Sequence, residues 1–167
     1  IAKVVGPGRT IQGVTSQGAT RLGPGRVRHA GSGPTYLAAT PEQMPGVAVI
    51  AAAFSAAGIP TSIEPNLERL VWGKLVVNAG INALTALLRV ENGVLTEVPE
   101  ARALLSQAVA EAVAVAQAAG ITLPYDDPVA QVLSVAEGTA ANRSSMLADV
   151  LRGAPTEIDF INGAIVR

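Results

Sequence analysis

Lys74, Asn78 and Asn82 recur at four-residue intervals within Trp72-Gly-Lys-Leu-Val-Val-Asn-Ala-Gly-Ile-Asn-Ala-Leu-Thr-Ala-Leu88. In an α-helix that spacing sets all three on one face. The residues around them are apolar, so the face would ordinarily line a core. One ammonium and two carboxamides are costly to bury there without partners. Singly, each has a bland use: a lysine at a rim, an asparagine bonded to nearby backbone. Three in register make a stripe of donors and acceptors suited to a small, oxygen-rich ligand.

Other residues with chemical potential are weaker signals. Gly31-Ser-Gly33 has the look of a dinucleotide loop, but position 36 is Tyr rather than Gly, and a strand connection explains it better. His29 sits in an alternating strand pattern as a surface or satisfied histidine, with Arg26 and Arg28 solvating the opposite face. Asn92-Gly93 is a turn signal. Ser144 and Ser145 after Arg143 read as a helix start. Glu157 beside Thr156 reads as a first-turn carboxylate, which the helix dipole favours.

These residues need elements to position them. Residues 1–63 have a sheet-and-turn character. A helix end at 1–5 breaks at Gly6-Pro7-Gly8, and short strands follow at 10–15, 20–22, 27–30 and 35–38. Gly-Pro-Gly at 23–25 and Gly-Ser-Gly-Pro at 31–34 provide turns. An Ala/Val helix over 46–57 ends at Gly58, and a further strand at 61–63 gives a strand–helix–strand order, the tail of an α/β unit. From residue 64 the pattern is helical. Asn66 is placed to cap a long helix running to about Leu88. Pro99 opens a second helix and Gly120 closes it. That helix is apolar nearly all round and is expected to be central. Asp126 or Asp127 with Pro128 begins a third, residues 144–151 form a fourth, either separate from the third or continuous with it, and Thr156-Glu157 begins a fifth.

The composition narrows the function classes. The chain has 167 residues, 49% hydrophobic and 15% charged, which supports a sizeable core. A net charge of −1 with no basic run argues against nucleic acid. Absence of Cys excludes disulfides, thiolate catalysis and cysteine metal sites, and a single His leaves no zinc cluster, so no metal is expected. The apolar stretch at 47–59, interrupted by Ser55 and Gly58, is too short to span a bilayer, and no membrane partner is expected. No signal peptide is recognisable, and a cytoplasmic protein is expected. The chain opens at Ile1 inside a helix pattern and stops at Arg167 inside another, which reads as a segment of a longer protein.

The string from Leu70 to Gly93, then Asn142-Arg-Ser-Ser-Met-Leu-Ala-Asp149, then Thr156-Glu-Ile-Asp-Phe-Ile-Asn-Gly163 closely resembles the ketopantoate reductase (2-dehydropantoate 2-reductase) family. Gly13-Val-Thr-Ser-Gln-Gly-Ala-Thr20 and the run from Gly23 to Gly33 resemble the back half of that family's nucleotide domain. The resemblance covers essentially the whole chain, and its three helical motifs are specific in combination. It implies an α/β part followed by an all-α part. Residues 1–63 would be the C-terminal portion of an NADP-binding Rossmann-type domain. Residues 64–167 would be a helical substrate and catalytic domain of the 6-phosphogluconate-dehydrogenase C-terminal type, truncated at its end.

The resemblance also implies an activity, the NADPH-dependent reduction of 2-dehydropantoate to pantoate on the way to pantothenate and coenzyme A. Lys74 matches the catalytic lysine. Asn78, Asn82, Asn92 and Ser145 match substrate-binding residues, and Glu157 matches the acidic residue that holds or balances Lys74 or bonds a substrate hydroxyl. The family's glycine-rich pyrophosphate loop, an asparagine-bearing loop ahead of Ile1 and the last helices after Arg167 are not in this sequence. The segment alone is therefore expected to bind NADPH weakly or not at all. Two alternatives stand beside this reading. One is a paralogous reductase of another branched 2-oxo acid. The other is a non-catalytic helical module whose Ala-rich helix over 99–119 packs on a second subunit, as in a homodimer.

Overall fold

In the computed structural model, which describes residues 1–167, glycine and proline punctuate the first unit, Ile1–Glu68, into short elements. α1 (Ala2–Val5) ends at Gly6, whose φ of +91° suits glycine, and a single 3-10 turn spans Pro7–Arg9. β1 (Gly13–Thr15), β2 (Gly18–Gly23), β3 (Arg26–Gly31) and β4 (Thr35–Leu37) follow, then α2 (Met44–Ala56) and β5 (Thr61–Ile63). β2 and β3 form an antiparallel hairpin turned by Pro24-Gly25, with Gly25 at φ +67°. The other three strands form a sheet in the order β1-β4-β5, with β1 antiparallel and β5 parallel to β4. α2 is the crossover between the parallel pair, so the expected strand–helix–strand unit is present. Leu37, Val47 and Ala51 form its core, with Ala39 and Ile63 against them.

The second unit, Arg69–Arg167, is helical. α3 (Leu67–Leu88) begins at the border and carries the polar stripe. It ends in a left-handed Arg89 at φ 56°, where Val90 N–H closes back on the Thr85 carbonyl at 3.2 Å. α4 (Val94–Glu97), α5 (Pro99–Ala118), α6 (Pro128–Gly138), α7 (Ser145–Leu151) and α8 (Asn162–Val166) complete it. Pro99 and Pro128 open helices where a missing N–H costs nothing, and the Asp127 carboxylate accepts from Ala130 N–H at 2.9 Å as an N-cap. Val76, Ala79 and Ile81 of α3, Leu105 and Val109 of α5, Val132 of α6 and Met146 of α7 belong to one buried cluster. A Cβ at Gly80 would lie 2.7 Å from Val109 Cγ2 and 3.2 Å from Val132 Cγ1, so glycine is what lets α3 approach α5 and α6 this closely. By length and composition α3 could cross a membrane, but its apolar positions serve this core.

Three expectations change. α4 is an additional single turn, too short to show a helical period in sequence. α5 is not buried all round: Ala101, Leu105, Val109, Ala112 and Ala116 face inward, while Leu104 is half exposed. Alanine costs little in water, so an Ala-rich composition overstated burial. Glu157 does not begin a helix. It opens a hydrogen-bonded turn, and the φ/ψ of Ile161, −101° and −84°, delays α8 to Asn162. The fourth helix is separate from the third, with residues 139–144 between them.

Candidate active site

The stripe on α3 is graded from open to closed. Lys74 is exposed, Asn78 is partly buried and Asn82 is 6% exposed. At its closed end Asn82 Nδ2 donates to Ser145 Oγ at 3.4 Å, across 63 sequence positions. Asn82 therefore spends its amide on a second predicted site residue rather than on backbone. Ser145 itself is exposed at the first position of α7.

A second layer holds that pair. Thr85, fully buried one turn below Asn82, places Oγ1 2.7 Å from Ser144 Oγ, and 2.9 and 3.0 Å from the Ile81 and Asn82 carbonyls. Ser144 is the N-cap of α7, accepting Leu147 N–H at 3.0 Å. One hydroxyl thus caps α7 and pins it to α3, which fixes where Ser145 stands. Ser144 is legible as a helix start from local pattern alone. Its partner Thr85 had no local signal.

Asn92 stands apart from this arrangement. Its Nδ2 donates to Thr139 Oγ1 at 2.9 Å, its N–H to the Asn142 carbonyl at 3.0 Å, and its Oδ1 is buried without a partner. Gly93 follows with so little room that a Cβ would lie 2.7 Å from Ala140 Cβ. Asn92-Gly93 thereby clamps the connection after α3 to the end of α6 through Asn92 Nδ2, and Oδ1 takes no part in that clamp.

Glu157 is exposed, and its carbonyl accepts from Phe160 N–H and Ile161 N–H, both at 3.0 Å. The turn it opens meets α3 through Asn162, whose Nδ2 donates to the Ala79 carbonyl at 3.1 Å. Asn162 Oδ1 is buried with no partner, a cost of roughly 1–3 kcal/mol. Asn162 lies within the Thr156 to Gly163 string, but nothing local in the sequence gives it a role.

One residue before Lys74, Gly73 receives the Pro124-Tyr125 segment. A Cβ there would lie 2.7 Å from Pro124 Cγ, and Tyr125 Oη donates to the Gly73 carbonyl at 2.8 Å. Burial pushes the Tyr125 phenol up to about 12. In the first unit Thr40 Oγ1 donates to the exposed Glu42 carboxylate at 2.7 Å and holds it below its usual range.

Gly31-Ser-Gly33 is a strand connection, as its residues suggested. A Cβ at Gly33 would lie 2.6 Å from Ser16 Cβ, so glycine serves a close chain approach there. His29 is exposed and lies 2.8 Å from Gln17 Oε1. Two surface depressions, about 640 Å³ beside Thr10, Thr40 and Gln43 and about 380 Å³ beside Arg89, Arg143 and Leu151, include none of Lys74, Asn78, Asn82 or Glu157. The convergence of amide and hydroxyl on the stripe, rather than concavity, identifies the candidate site. No group of His, Cys, Asp and Glu is placed to hold a metal.

Comparison with known proteins gives consistent matches. The family described as ketopantoate reductase PanE/ApbA C terminal matches residues 66–167, and ketopantoate reductase PanE/ApbA matches residues 1–42. The 2-dehydropantoate 2-reductase of Halobacterium salinarum is 42% identical over 170 residues, covering 99% of this chain and 55% of that protein. The solved 2-dehydropantoate 2-reductase of Geobacter metallireducens GS-15 superposes with a TM-score of 0.88 at 30% identity, over 99% of this chain and 56% of that one. A D-mandelate dehydrogenase in ternary complex with NADH and anilino(oxo)acetate gives 0.84 at 27% identity, over 99% and 55%. The chain spans about half the length of these relatives.

Proposed function

The chain belongs to the ketopantoate reductase family, and on that premise we propose that it forms the substrate-binding and proton-donating part of an enzyme reducing 2-dehydropantoate to pantoate with NADPH. The observation that carries the reading is the meeting of Asn82 and Ser145 at the closed end of a stripe that starts at Lys74. Neutral donors and acceptors there suit the carboxylate and hydroxyls of a hydroxylated 2-oxo acid, and they discriminate against analogues lacking those groups. The hydride for the ketone carbon would come from a nicotinamide cofactor when one is bound. As that carbon is reduced its oxygen gathers alkoxide charge, which the Lys74 ammonium stabilises and then protonates from Nζ. Asn78, Asn82 and Ser145 orient the substrate without proton transfer. Glu157 holds or balances the lysine, or bonds a substrate hydroxyl. Asn92, whose Oδ1 has no protein partner, is assigned to the substrate with Asn78, Asn82 and Ser145, while its Nδ2 fixes the loop after α3. The NADH-bound dehydrogenase supports a nicotinamide cofactor in general, and the preference for NADPH is the finer part of the proposal.

The same likeness supports a second reading, a reductase of another 2-oxo acid. A substrate panel decides between them. With the chain completed to the length of its relatives, 2-dehydropantoate and NADPH should give the highest kcat/KM, against NADH and against other branched or aromatic 2-oxo acids. Lys74→Ala should lower kcat by roughly two orders of magnitude or more, the usual scale for a positioned acid. Near-normal turnover of that variant would remove Lys74 from the chemistry.

A further inference from the structure

Lys74, Asn78 and Asn82 stand on α3, whereas Glu157 stands on a turn that follows α7 and precedes α8. Any cooperation between them needs the turn to keep a fixed position along the α3 axis. The turn is closed by its own hydrogen bonds. Glu157 C=O accepts from Phe160 N–H and Ile161 N–H, Gly163 N–H donates to the Ile158 carbonyl at 2.9 Å, and an Arg167 guanidinium N–H donates to the Asp159 carbonyl at 2.8 Å. Ile161 anchors the turn in the apolar core, but an apolar contact tolerates sliding. A directed bond does not.

That bond is Asn162 Nδ2 to the Ala79 carbonyl, spanning 83 sequence positions. Ala79 lies between Asn78 and Asn82, so the bond is made at the level of the substrate-binding carboxamides. The orientation of the Asn162 amide follows from its partner: a carbonyl accepts only, so Nδ2 must face it and Oδ1 must face away. Oδ1 is then buried and unpartnered. A side chain chosen for stability alone would not keep an orphaned acceptor, and a well-packed apolar residue would hold the turn at less cost. Retaining asparagine makes sense if position matters more than stability.

We infer that Asn162 is a positioning residue, which fixes the turn bearing Glu157 against α3 at Ala79 and so sets the distance from Glu157 to the Lys74–Asn78–Asn82 stripe. The inference rests on the reading of Glu157 and Lys74 given above. Asn162 does not touch the reacting atoms, so its loss should appear in turnover and only through Glu157.

The test is a two-background comparison in the chain completed to family length. Asn162→Ala should lower kcat about tenfold or more, with a change in KM below threefold, since a small misplacement of a catalytic partner costs this much. In a Glu157→Gln background the same substitution should change kcat by less than twofold, because the residue it positions is already disabled. A role confined to stability would lower the melting temperature in both backgrounds and leave this split unseen. Should the alanine variant not fold, Asn162→Ser carries the same comparison. An equal loss of kcat in both backgrounds, or no loss in the first, overturns the positioning role while leaving the function of the site intact. Near-normal kcat in Glu157→Gln alone overturns the assignment of Glu157, and the inference falls with it.

Discussion

The bond between Thr85 and Ser144 allows a prediction whose size follows from the structure. Ser144→Ala removes the N-cap of α7, at about 1 kcal/mol, and the contact with Thr85, at about another 1 kcal/mol. Thr85→Val keeps shape and burial but loses the hydroxyl, for about 1–1.5 kcal/mol. The two substitutions share one bond. The double variant should therefore be about 1 kcal/mol less destabilised than the singles imply when added. Trp72, the only tryptophan, lies on α3 and reports unfolding of the helical unit by fluorescence in urea. Additivity within about 0.3–0.5 kcal/mol would mean the two hydroxyls are not energetically coupled and that this pair does not pin α7 to α3. Ser145 follows the cap directly, so Ser144→Ala at family length should also raise KM for the 2-oxo acid before it affects kcat.

Two further outcomes follow from other contacts. Gly80→Ala forces a methyl to within 2.7 Å of Val109 Cγ2 and should destabilise the helical unit by about 1–3 kcal/mol, read from the same urea transition; a neutral result would mean α3 can move away from α5. Tyr125 should impose an alkaline limit. With its phenol raised to about 12 in the fold and near 10 when unfolded, both states are protonated below pH 10, and its contribution is then fully present. Between about pH 10 and 12 only the unfolded chain ionises, so stability falls, by a ceiling of about 2.7 kcal/mol that solvent screening of this half-buried group reduces. Tyr125→Phe should flatten that part of the stability–pH curve, and an unchanged slope would assign it to another group.

Much of the fold was legible because its signals are local. Pro24-Gly25, Asp127-Pro128, Pro99 and Gly120 each act on the backbone within a few residues, and each lies where its element turns, starts or stops. The four-residue spacing of Lys74, Asn78 and Asn82 was equally local, since a helix fixes which side chains share a face. Beyond those signals, spacing alone could not tell a backbone-bonded asparagine from one reaching Ser145. Thr85 with Ser144, Asn162 with Ala79 and Tyr125 with Gly73 are separated by 59, 83 and 52 positions, and only the packing of α3 against its neighbours brings them together. The delayed start of α8 has the same origin, because the backbone at Ile161 is set by burying that side chain in the core and not by the Thr156-Glu157 signal ahead of it.

The two cores differ greatly in size. The first unit rests on Leu37, Val47 and Ala51, whereas the helical unit encloses a cluster several times larger. Apolar burial sets the free energy of local opening, so the strands and α2 should open in fluctuations that leave the bundle closed. Amide hydrogens of β4 and β5 would then exchange with solvent long before those of α3 and α5. The chain therefore has two thresholds of protection, and Trp72 senses only the higher one.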